Sequence, residues 1–247
     1  MLARRVVRVG DRVYRPTGWW TPPVHRLLHH LQDAGFSCAP RVLGLDGQGR
    51  EILTHIPGRS GRHGWAAIVD DRGLASFARL LRAYHEAVRS FRPPADAAWA
   101  CTDAPLGAGE LVCHGDFGPW NLVWRGRRPV GILDWDLAGP GPPMDDVAYA
   151  LAYGVPFRDD QTALRWLGYD RPPDRRHRIE VFAQAYGLPS TAGLVDQVAH
   201  RQRLDLVRVR TLAQRGLQPQ ASWVAAGFLD ELAARAAWTE QHRGVFE

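Results

Sequence analysis

Hydrophobic and polar residues alternate in short runs within the first 56 residues, and these runs predict β-strands. Two pairs of such runs flank glycine-containing turns and predict hairpins: 4–9 with 12–15, and Val42–Leu45 with Glu51–Thr54. Between the hairpins, Thr21 and Pro22 predict a helix start with Thr21 as N-cap, and apolar residues recur at helical spacing until Gly35. This part of the chain is therefore predicted to be a small β-rich lobe that carries one helix.

The spacing of apolar residues changes to three or four from Trp65 onward, which predicts a helical region. The predicted helices are 74–88, 147–153, 159–167, 175–186, 194–212 and 223–238. The Gly- and Pro-rich residues 137–143 can form neither a helix nor a central strand. Residues 59–63 are polar and contain glycine, which predicts a flexible connection between the two regions. The boundaries predicted for these regions are 1–57 and 58–247.

The residues with the strongest chemical signature lie in the stretch LVCHGDFGPWNLVWRGRRPVGILDWD, 111–136. An apolar run leads His114 and Asp116 into a loop, and two short apolar runs around a glycine-containing turn predict a hairpin. Asn121 precedes the first strand of this hairpin and Asp134 follows the second. Because these two ends lie side by side in an antiparallel pair, one carboxamide and one or two carboxylates, Asp134 and Asp136, should converge just beyond Asp116.

Such a set of side chains suits phosphoryl transfer. Carboxylate and amide oxygens are ligands for Mg²⁺, which in enzymes is often held by few protein groups together with substrate phosphates. A further carboxylate is needed to accept the proton of the hydroxyl group that attacks the phosphate. The spacing from Asp116 to Asn121, followed by a strand-terminal Asp134, is that of a kinase catalytic loop and metal site.

The segments HGDFGPWNLV and GILDWD resemble those of the aminoglycoside phosphotransferase and choline kinase family, which is related to the protein kinases. The resemblance implies an α+β, two-lobed protein-kinase-like fold with a short β-rich N-lobe and a mainly helical C-lobe. It also implies that Asp116 is the catalytic base, that Asn121 and Asp134 hold Mg²⁺, and that His114 orients the catalytic loop. Asp136 is expected to support this site or a second ion. Asp146, which with Asp145 is predicted to cap the helix 147–153, matches a residue that braces the loop.

The short N-lobe departs from the usual pattern of a kinase nucleotide site. It has no Gly-rich phosphate-covering loop, and the whole chain contains no Lys. Arg15, at the end of a predicted strand, is the best placed substitute for the phosphate-contacting Lys, with its alternative a solvated strand-end residue. His25 occupies the helix position of the family's Glu. His25 and His29 lie four residues apart on one helix face, but because no third ligand accompanies them, a solvated helix face is favoured over a metal site. The segment 54–56 (Thr54, His55 and Ile56) resembles the hinge that binds the adenine.

Composition excludes several other classes of protein. The net charge of +5 is spread along the chain, and no basic block or aromatic-interleaved motif argues for a nucleic-acid partner. No apolar stretch is long enough for a membrane span, and the first residues lead into no signal-type segment, so a cytoplasmic protein is expected. The three cysteines have no metal-binding or redox spacing and are expected to be free thiols.

The sequence therefore predicts a cytoplasmic, Mg²⁺-dependent phosphotransferase that moves the γ-phosphate of ATP or GTP to a hydroxyl group of a small molecule. The acceptor stays open between a cationic antibiotic and a neutral metabolite, sugar or other antibiotic. A cationic acceptor would need the carboxylates of the C-terminal region, namely Asp159, Asp160, Asp170, Asp174, Glu180, Asp230 and Glu231. The main alternative is a non-catalytic binding or immunity protein on the same fold. An RNA-binding helical protein is supported only by the basic charge.

Overall fold

The computed structural model describes residues 6–247, without the side chain of Trp166. Four strands form an antiparallel sheet in the order β1-β2-β4-β3: β1 (Val7–Val9), β2 (Arg12–Arg15), β3 (Val42–Leu45) and β4 (Glu51–Thr54). Both predicted hairpins are confirmed, apart from residues 4 and 5, which lie outside the described residues. The sequence did not predict the order of the strands. In the structure β4 lies between β2 and β3, which places Arg15 directly opposite Glu51.

Helix α1 (Thr21–Asp33) packs its predicted apolar stripe into the core, where Leu27, Leu28 and Leu31 are almost fully buried. The predicted N-cap is wrong by one residue. Trp20 occupies the cap position, and Thr21 is the first helical residue. Its hydroxyl instead accepts a hydrogen bond from the backbone N–H of Gly18 at 2.9 Å, which fixes the turn that enters the helix.

The C-terminal region is helical, as predicted. Its elements are α2 (His63–Ala67), α3 (Asp71–Val88), α4 (Pro143–Gly154), α5 (Asp160–Trp166), α6 (Arg175–Tyr186), α7 (Leu194–Gln214), α8 (Gln220–Ala225) and α9 (Phe228–Gln241). The single helix predicted over 223–238 is wrong. It is divided into α8 and α9 because Gly227 adopts φ +85°, which ends a right-handed helix.

Helix α4 begins at Pro143, four residues earlier than predicted, with Pro142 at the cap position. Asp145 and Asp146 therefore lie in its first turn and do not cap it. This position frees the Asp146 carboxylate to bond outside the helix, while both charges remain favourable at the positive end of the helix dipole.

Two small antiparallel sheets hold the central segment. In the first, β5 (Leu111–Cys113) pairs with β8 (Gly139–Gly141); in the second, β6 (Leu122–Arg125) pairs with β7 (Arg128–Ile132), which confirms the predicted hairpin. The strand β8 is possible despite Pro140 because its sheet has only two strands, so one side of β8 needs no partner. Arg59 and Trp124 form a backbone bridge with hydrogen bonds of 3.0 and 2.8 Å. The prediction that 59–63 is a flexible connection is therefore wrong.

One continuous core joins the sheet, α1 and the large helices. Within it α3 packs against α6, and α7 packs against both α4 and α9. Under the central loop, Phe77 of α3 stacks on Phe117 with a centroid distance of 5.0 Å. The α+β, two-lobed kinase-like fold is thus confirmed, whereas the boundary at 57/58 stays a prediction. No helix within residues 6–247 has the length and apolar character to cross a membrane.

Candidate active site

The loop that follows β5 carries Asp116 and depends on a glycine beside it. Gly115 has φ +82°, and a Cβ atom at this position would lie 2.1 Å from the carbonyl oxygen of Leu137. Only glycine satisfies both the backbone conformation and this close approach. The loop is therefore pressed against the segment after β7, which brings Asp116 next to the end of the hairpin.

Asp146 supports this loop from beneath. Its carboxylate is fully buried and accepts hydrogen bonds from the backbone N–H groups of His114 (2.7 Å) and Gly115 (2.9 Å) and from the His85 ring (3.2 Å). Burial opposes ionisation, but the hydrogen bond and charge of His85 outweigh it and lower the pKa of Asp146 to about 2. The geometry matches the bracing role that the family resemblance implies for this residue.

His85 of α3 is buried below the loop and contacts polar groups on both of its ring nitrogens. Its Nδ1 lies 2.7 Å from the hydroxyl of Tyr186, and its Nε2 faces Asp146. The three side chains link α3, α4 and α6 below the loop. These contacts could not be predicted from the sequence, because Asp146 and Tyr186 are 61 and 101 residues away from His85 along the chain.

His114 is completely buried and lies between the loop and the hairpin. Its Nε2 lies 2.9 Å from the carbonyl oxygen of Leu133, and its Nδ1 accepts a hydrogen bond of 3.3 Å from the backbone N–H of Asp116. The indole of Trp135 packs edge-on against its ring at 4.8 Å. Burial lowers the pKa of His114, which favours a neutral ring. A ring so enclosed can position Asp116 and Leu133 but cannot reach a substrate.

Asp116 receives two hydrogen bonds on its carboxylate. Tyr149 of α4 donates its hydroxyl to one oxygen through a very short contact, and the Asn121 amide donates to the other at 2.8 Å. Burial, with a smaller contribution from the charge of Asp134, raises the pKa of Asp116 to about 7, while these two hydrogen bonds limit the rise. A carboxylate of that pKa is a better proton acceptor near neutral pH than an exposed one.

Asn121 and Asp134 lie side by side at the end of the hairpin, as predicted. The backbone N–H of Leu133 donates to the carbonyl oxygen of Asn121 at 2.7 Å, and Asp134 follows directly. Asp134 adopts the left-handed conformation with φ +59°, the one positive φ at a non-glycine position among the described residues. This strained backbone turns the half-exposed carboxylate out of the hairpin.

The donor chemistry at this point fits Mg²⁺. The Asn121 amide nitrogen is used by Asp116, which leaves its oxygen as an acceptor, and Asp134 has one oxygen without a donor among the described residues. Across residues 6–247 no three His, Cys, Asp or Glu side chains form a metal-binding group. An ion held here would therefore need oxygens from a ligand such as a nucleotide phosphate, which is the usual arrangement for Mg²⁺.

Arg15 is held by carboxylates from three directions. Its guanidinium nitrogens lie 2.8 Å from Asp134, 2.9 Å from Asp136 and 3.3 Å from Glu51. Glu51 is buried and also lies 2.9 Å from the His25 ring. Glu51, which lies opposite Arg15 in the sheet, thus supplies the acidic partner of Arg15 that the family pattern places on the helix. His25 faces this pair, so its predicted place on a solvated helix face is wrong. Sequence reasoning missed Glu51 because α1 and β3 separate β2 from β4 along the chain.

A cavity of about 550 Å³ separates the four-stranded sheet from the hairpin and contains the predicted nucleotide-binding residues. We call it the sheet-side cavity; it is lined by Arg15, Thr54, His55, Ile56, Asn121 and Asp134, among others. The backbone N–H groups of Thr54 and His55 already donate to Arg41 and Asp11. Among the described residues, no acceptor meets the N–H of Ile56, so this amide is available to a ligand.

A second cavity, of about 380 Å³, opens on the other side of the loop, and we call it the helix-side cavity. Asp116 lines it, whereas Asn121 and Asp134 line the sheet-side cavity, and Trp120 borders both. None of the seven acidic residues that the sequence suggested as contacts for a cationic acceptor lines the helix-side cavity. Several of them have structural uses elsewhere: Asp159 and Asp174 cap α5 and α6, and Asp160 pairs with Arg175.

Arg201 of α7 was also missed. It is almost fully buried and donates hydrogen bonds of 2.7 Å to the carbonyl oxygens of Gly115 and Asp145, with Asp205 as its ionic partner at 2.8 Å. Its guanidinium lies 4.4 Å from the centre of the Tyr149 ring. This arginine ties the loop and the start of α4 to α7. Arg201 and Gly115 are 86 residues apart along the chain, so no local sequence pattern predicts this contact.

Comparison with known protein sequences agrees with the geometry. Residues 95–179, which include the loop, the hairpin and Asp146, match the model of the "Phosphotransferase enzyme family". The trifolitoxin immunity protein of Rhizobium leguminosarum bv. trifolii is 36% identical over 200 residues, which covers 78% of this chain and 75% of that protein. Mouse acyl-CoA dehydrogenase family member 10 is 29% identical over 158 residues, 57% of this chain and 14% of that protein.

Solved structures share the fold at low sequence identity. Aminoglycoside 2'-phosphotransferase-IIIa in its GDP complex has a TM-score of 0.62 and 16% identity, covering 94% of this chain and 88% of that one. Amicoumacin kinase, in complex with AMP-PNP, Ca²⁺ and its ligand, has a TM-score of 0.60 and 10% identity over 96% of this chain and 88% of that one. A choline/ethanolamine kinase family protein of Mesorhizobium loti has a TM-score of 0.57 and 17% identity over 96% and 89%.

Proposed function

The chain belongs to the phosphotransferase enzyme family, and from that premise we propose that it transfers the γ-phosphate of ATP or GTP to a hydroxyl group of a small molecule. The observation that carries this proposal is the position of the loop between the two cavities. Asp116 faces the helix-side cavity, while Asn121 and Asp134 face the sheet-side cavity. An acceptor on one side and a nucleotide on the other would meet at Asp116.

In this proposal the acceptor hydroxyl donates its proton to the Asp116 carboxylate as its oxygen attacks the γ-phosphorus. The bond from that phosphorus to the bridging oxygen breaks, and the nucleoside diphosphate leaves. Tyr149 and Asn121 hold the two carboxylate oxygens, so the base has one orientation. The family resemblance implies that His114 orients the loop that carries Asp116. We assign His114 this positioning role because its ring is buried.

Asn121 and Asp134 are proposed to hold Mg²⁺, with Asp136 in support. When bound, Mg²⁺ would neutralise negative charge on the phosphates. Arg15 is proposed to contact the phosphates from the opposite wall, and the segment from Thr54 to Ile56 to receive the purine base. Asp146 keeps the loop in place through its bonds to backbone N–H groups. A reaction that draws on ATP or GTP and Mg²⁺ would take place in the cytoplasm.

Nucleotide binding tests the proposal directly. Mg²⁺ with AMP-PNP or with GDP, at about 100 times Kd, should stabilise the protein by about 2.7 kcal/mol and raise Tm by several degrees. Asp134→Ala should abolish the shift, and Asp96→Asn, on an exposed loop, should keep it. The absence of a shift with either nucleotide, or an unchanged shift in Asp134→Ala, would contradict the proposed site.

A second candidate, a binding protein that confers immunity without catalysis, is favoured by one observation. The relative that is 36% identical is named an immunity protein against a toxin, trifolitoxin. Protection of a toxin-sensitive strain by this chain would support a shared role. In that assay Asp116→Asn separates the two candidates: it should abolish protection by phosphorylation and leave protection by binding intact.

A further inference from the structure

The helix-side cavity contains four arginine side chains, and their ionic partners differ. Arg201 pairs with Asp205 at 2.8 Å, and Arg208 pairs with Asp145 at 2.8 Å. These two charges are therefore neutralised within the protein. The other two also line the cavity: Arg158 lies in the segment between α4 and α5, and Arg235 lies on α9.

The guanidinium of Arg158 forms no ion pair and donates no hydrogen bond to any described residue. Its Nε atom is fully buried and has no hydrogen-bond acceptor. Its guanidinium lies 5.1 Å from the centre of the Tyr153 ring, which holds it against the cavity wall. A buried donor without an acceptor costs free energy unless a ligand supplies one.

Arg235 faces the same space with a weak partner. Its contact to Glu231 is 3.3 Å long, and the Glu231 side chain is 67% exposed, so water screens the pair. Its guanidinium lies 5.5 Å from the centre of the Phe228 ring. Arg158 and Arg235 are close enough that the charge of Arg235 adds to burial in lowering the pKa of Arg158. Two arginines with no carboxylate between them form a site for an anion.

The cavity also has aromatic walls. Trp120 packs against Tyr153 at a centroid distance of 4.7 Å and against Trp65 at 5.1 Å, and Tyr149 packs against Tyr153 at 4.9 Å. Trp223, which is 43% exposed, lines the cavity as well. Such walls bind flat, apolar groups through burial and ring contacts.

On this basis, and resting on the proposed function, we propose that the acceptor is a hydroxylated aromatic carboxylic acid. Its ring would lie among Trp65, Trp120 and Tyr153, its carboxylate would pair with Arg158 and Arg235, and its hydroxyl would face Asp116. The same arrangement opposes a polycationic acceptor, because protonated amines would meet one guanidinium group without an ion pair and one that is only weakly paired.

Three probes with one ring and one hydroxyl test the charge preference: 4-hydroxyphenylacetate (anion), 4-hydroxyphenylacetamide (neutral) and tyramine (cation). Their Kd values are measured by ligand-observed NMR titration of the full chain. The anion should bind about tenfold more tightly than the amide, and tyramine should bind most weakly. Equal or tighter binding of tyramine, or no binding of the anion at millimolar concentration, would overturn the inference.

Variants show whether the preference arises at the two arginines. In the double variant Arg158→Gln/Arg235→Gln the anion and the amide should bind within about twofold of each other, while Arg158→Lys should retain most of the preference. Arg176→Gln, an exposed arginine on α6 outside the cavity, is the matched control and should behave as wild type. A preference that survives in the double variant would show that the anion binds elsewhere. Circular dichroism and Tm confirm that each variant folds.

The nucleotide shift described above separates this inference from the proposed function. If Mg²⁺-AMP-PNP or Mg²⁺-GDP binds but tyramine binds more tightly than 4-hydroxyphenylacetate, only the acceptor inference fails. If neither nucleotide binds and the anion preference depends on Arg158 and Arg235, phosphotransfer fails and the cavity assignment stands.

Discussion

Two arginines, one on each side of the loop that carries Asp116, differ in whether carboxylates of the protein neutralise them. Arg15 in the sheet-side cavity contacts three carboxylates, whereas Arg158 in the helix-side cavity contacts none among the described residues. The charge of Arg15 is more than compensated before any ligand arrives, so a phosphate must compete with Asp134 and Asp136 for it. The charge of Arg158 is compensated only when an anion enters. Loss of the arginine should therefore have different consequences at the two sites.

The largest expected effect is at Asp116, where the two cavities meet. Asp116→Asn removes the proposed base and should lower kcat by about 10²–10⁴-fold. Nucleotide affinity should change by less than about twofold because Asn121 and Asp134 are intact. Steady-state kinetics and the nucleotide thermal shift measure the two quantities.

Stability provides the control for this variant. Because burial raises the pKa of Asp116 to about 7, above its ordinary value, its carboxyl group favours folding at low pH and opposes it as the pH rises toward 7. Without metal at neutral pH, Asp116→Asn should therefore be at least as stable as wild type. A loss of Tm would indicate a structural role and would leave the kinetic effect open to another explanation.

Gly115→Ala should have the next largest effect, because it moves the loop that divides the cavities. The new Cβ would lie 2.1 Å from the carbonyl oxygen of Leu137 at a φ of +82°. We expect a loss of about 3 kcal/mol in the free energy of unfolding. Gly126→Ala is the matched control: its φ is +61°, but nothing lies within 4 Å of the added atom, so the loss should be about 1 kcal/mol. Urea denaturation compares them, and equal losses would exclude the steric explanation.

Substitution of the two arginines tests the contrast itself. Arg15→Gln leaves Glu51 buried and three carboxylates together, and it should cost about 2 kcal/mol of stability without divalent ions. Millimolar Mg²⁺ should restore part of that loss. Arg158→Gln removes a buried charge without a partner, so the stability should stay the same or rise. Similar losses in both variants, measured by denaturant titration, would contradict the difference drawn between the cavities.

A smaller, pH-dependent effect is expected at Asp146, below the loop. Its pKa of about 2 lies below its ordinary value, so its contribution to stability is full above about pH 4 and is lost as the pH falls toward 2. The stability difference between wild type and Asp146→Asn should therefore shrink by about 2 kcal/mol between pH 5 and pH 2. Asp96→Asn, on the surface, should follow the wild-type curve. A constant difference would show that folding does not lower the pKa of Asp146.

The elements with a local signal were the ones that sequence reasoning found. The hairpins at 7–15, 42–54 and 122–132 follow from alternation and turn glycines, and α1, α3 and α6 follow from apolar periodicity. The errors occurred where a single residue decides the outcome, such as the break at Gly227 and the first turn of α4. Glycine tolerates both helical and left-handed conformations, so its presence alone does not reveal which is used.

In the site, Asp116, Asn121 and Asp134 could be placed together because the chain between them is one hairpin. Glu51, His85 and Arg201 could not, since each reaches the site from a different part of the chain. The positive charge of the helix-side cavity could not be predicted from the sequence either. None of the carboxylates expected there lines this cavity, and the arginines that do are brought together by the packing of α7, α9 and the segment after α4.

The sequence alone determined the family, the strand and helix types, and the spacing of the residues at the loop, because these depend on neighbours along the chain. Tertiary structure decided which charges are neutralised and which face a cavity. That decision depends on side chains brought together from distant segments, where burial makes an unpaired charge costly and a paired one stable.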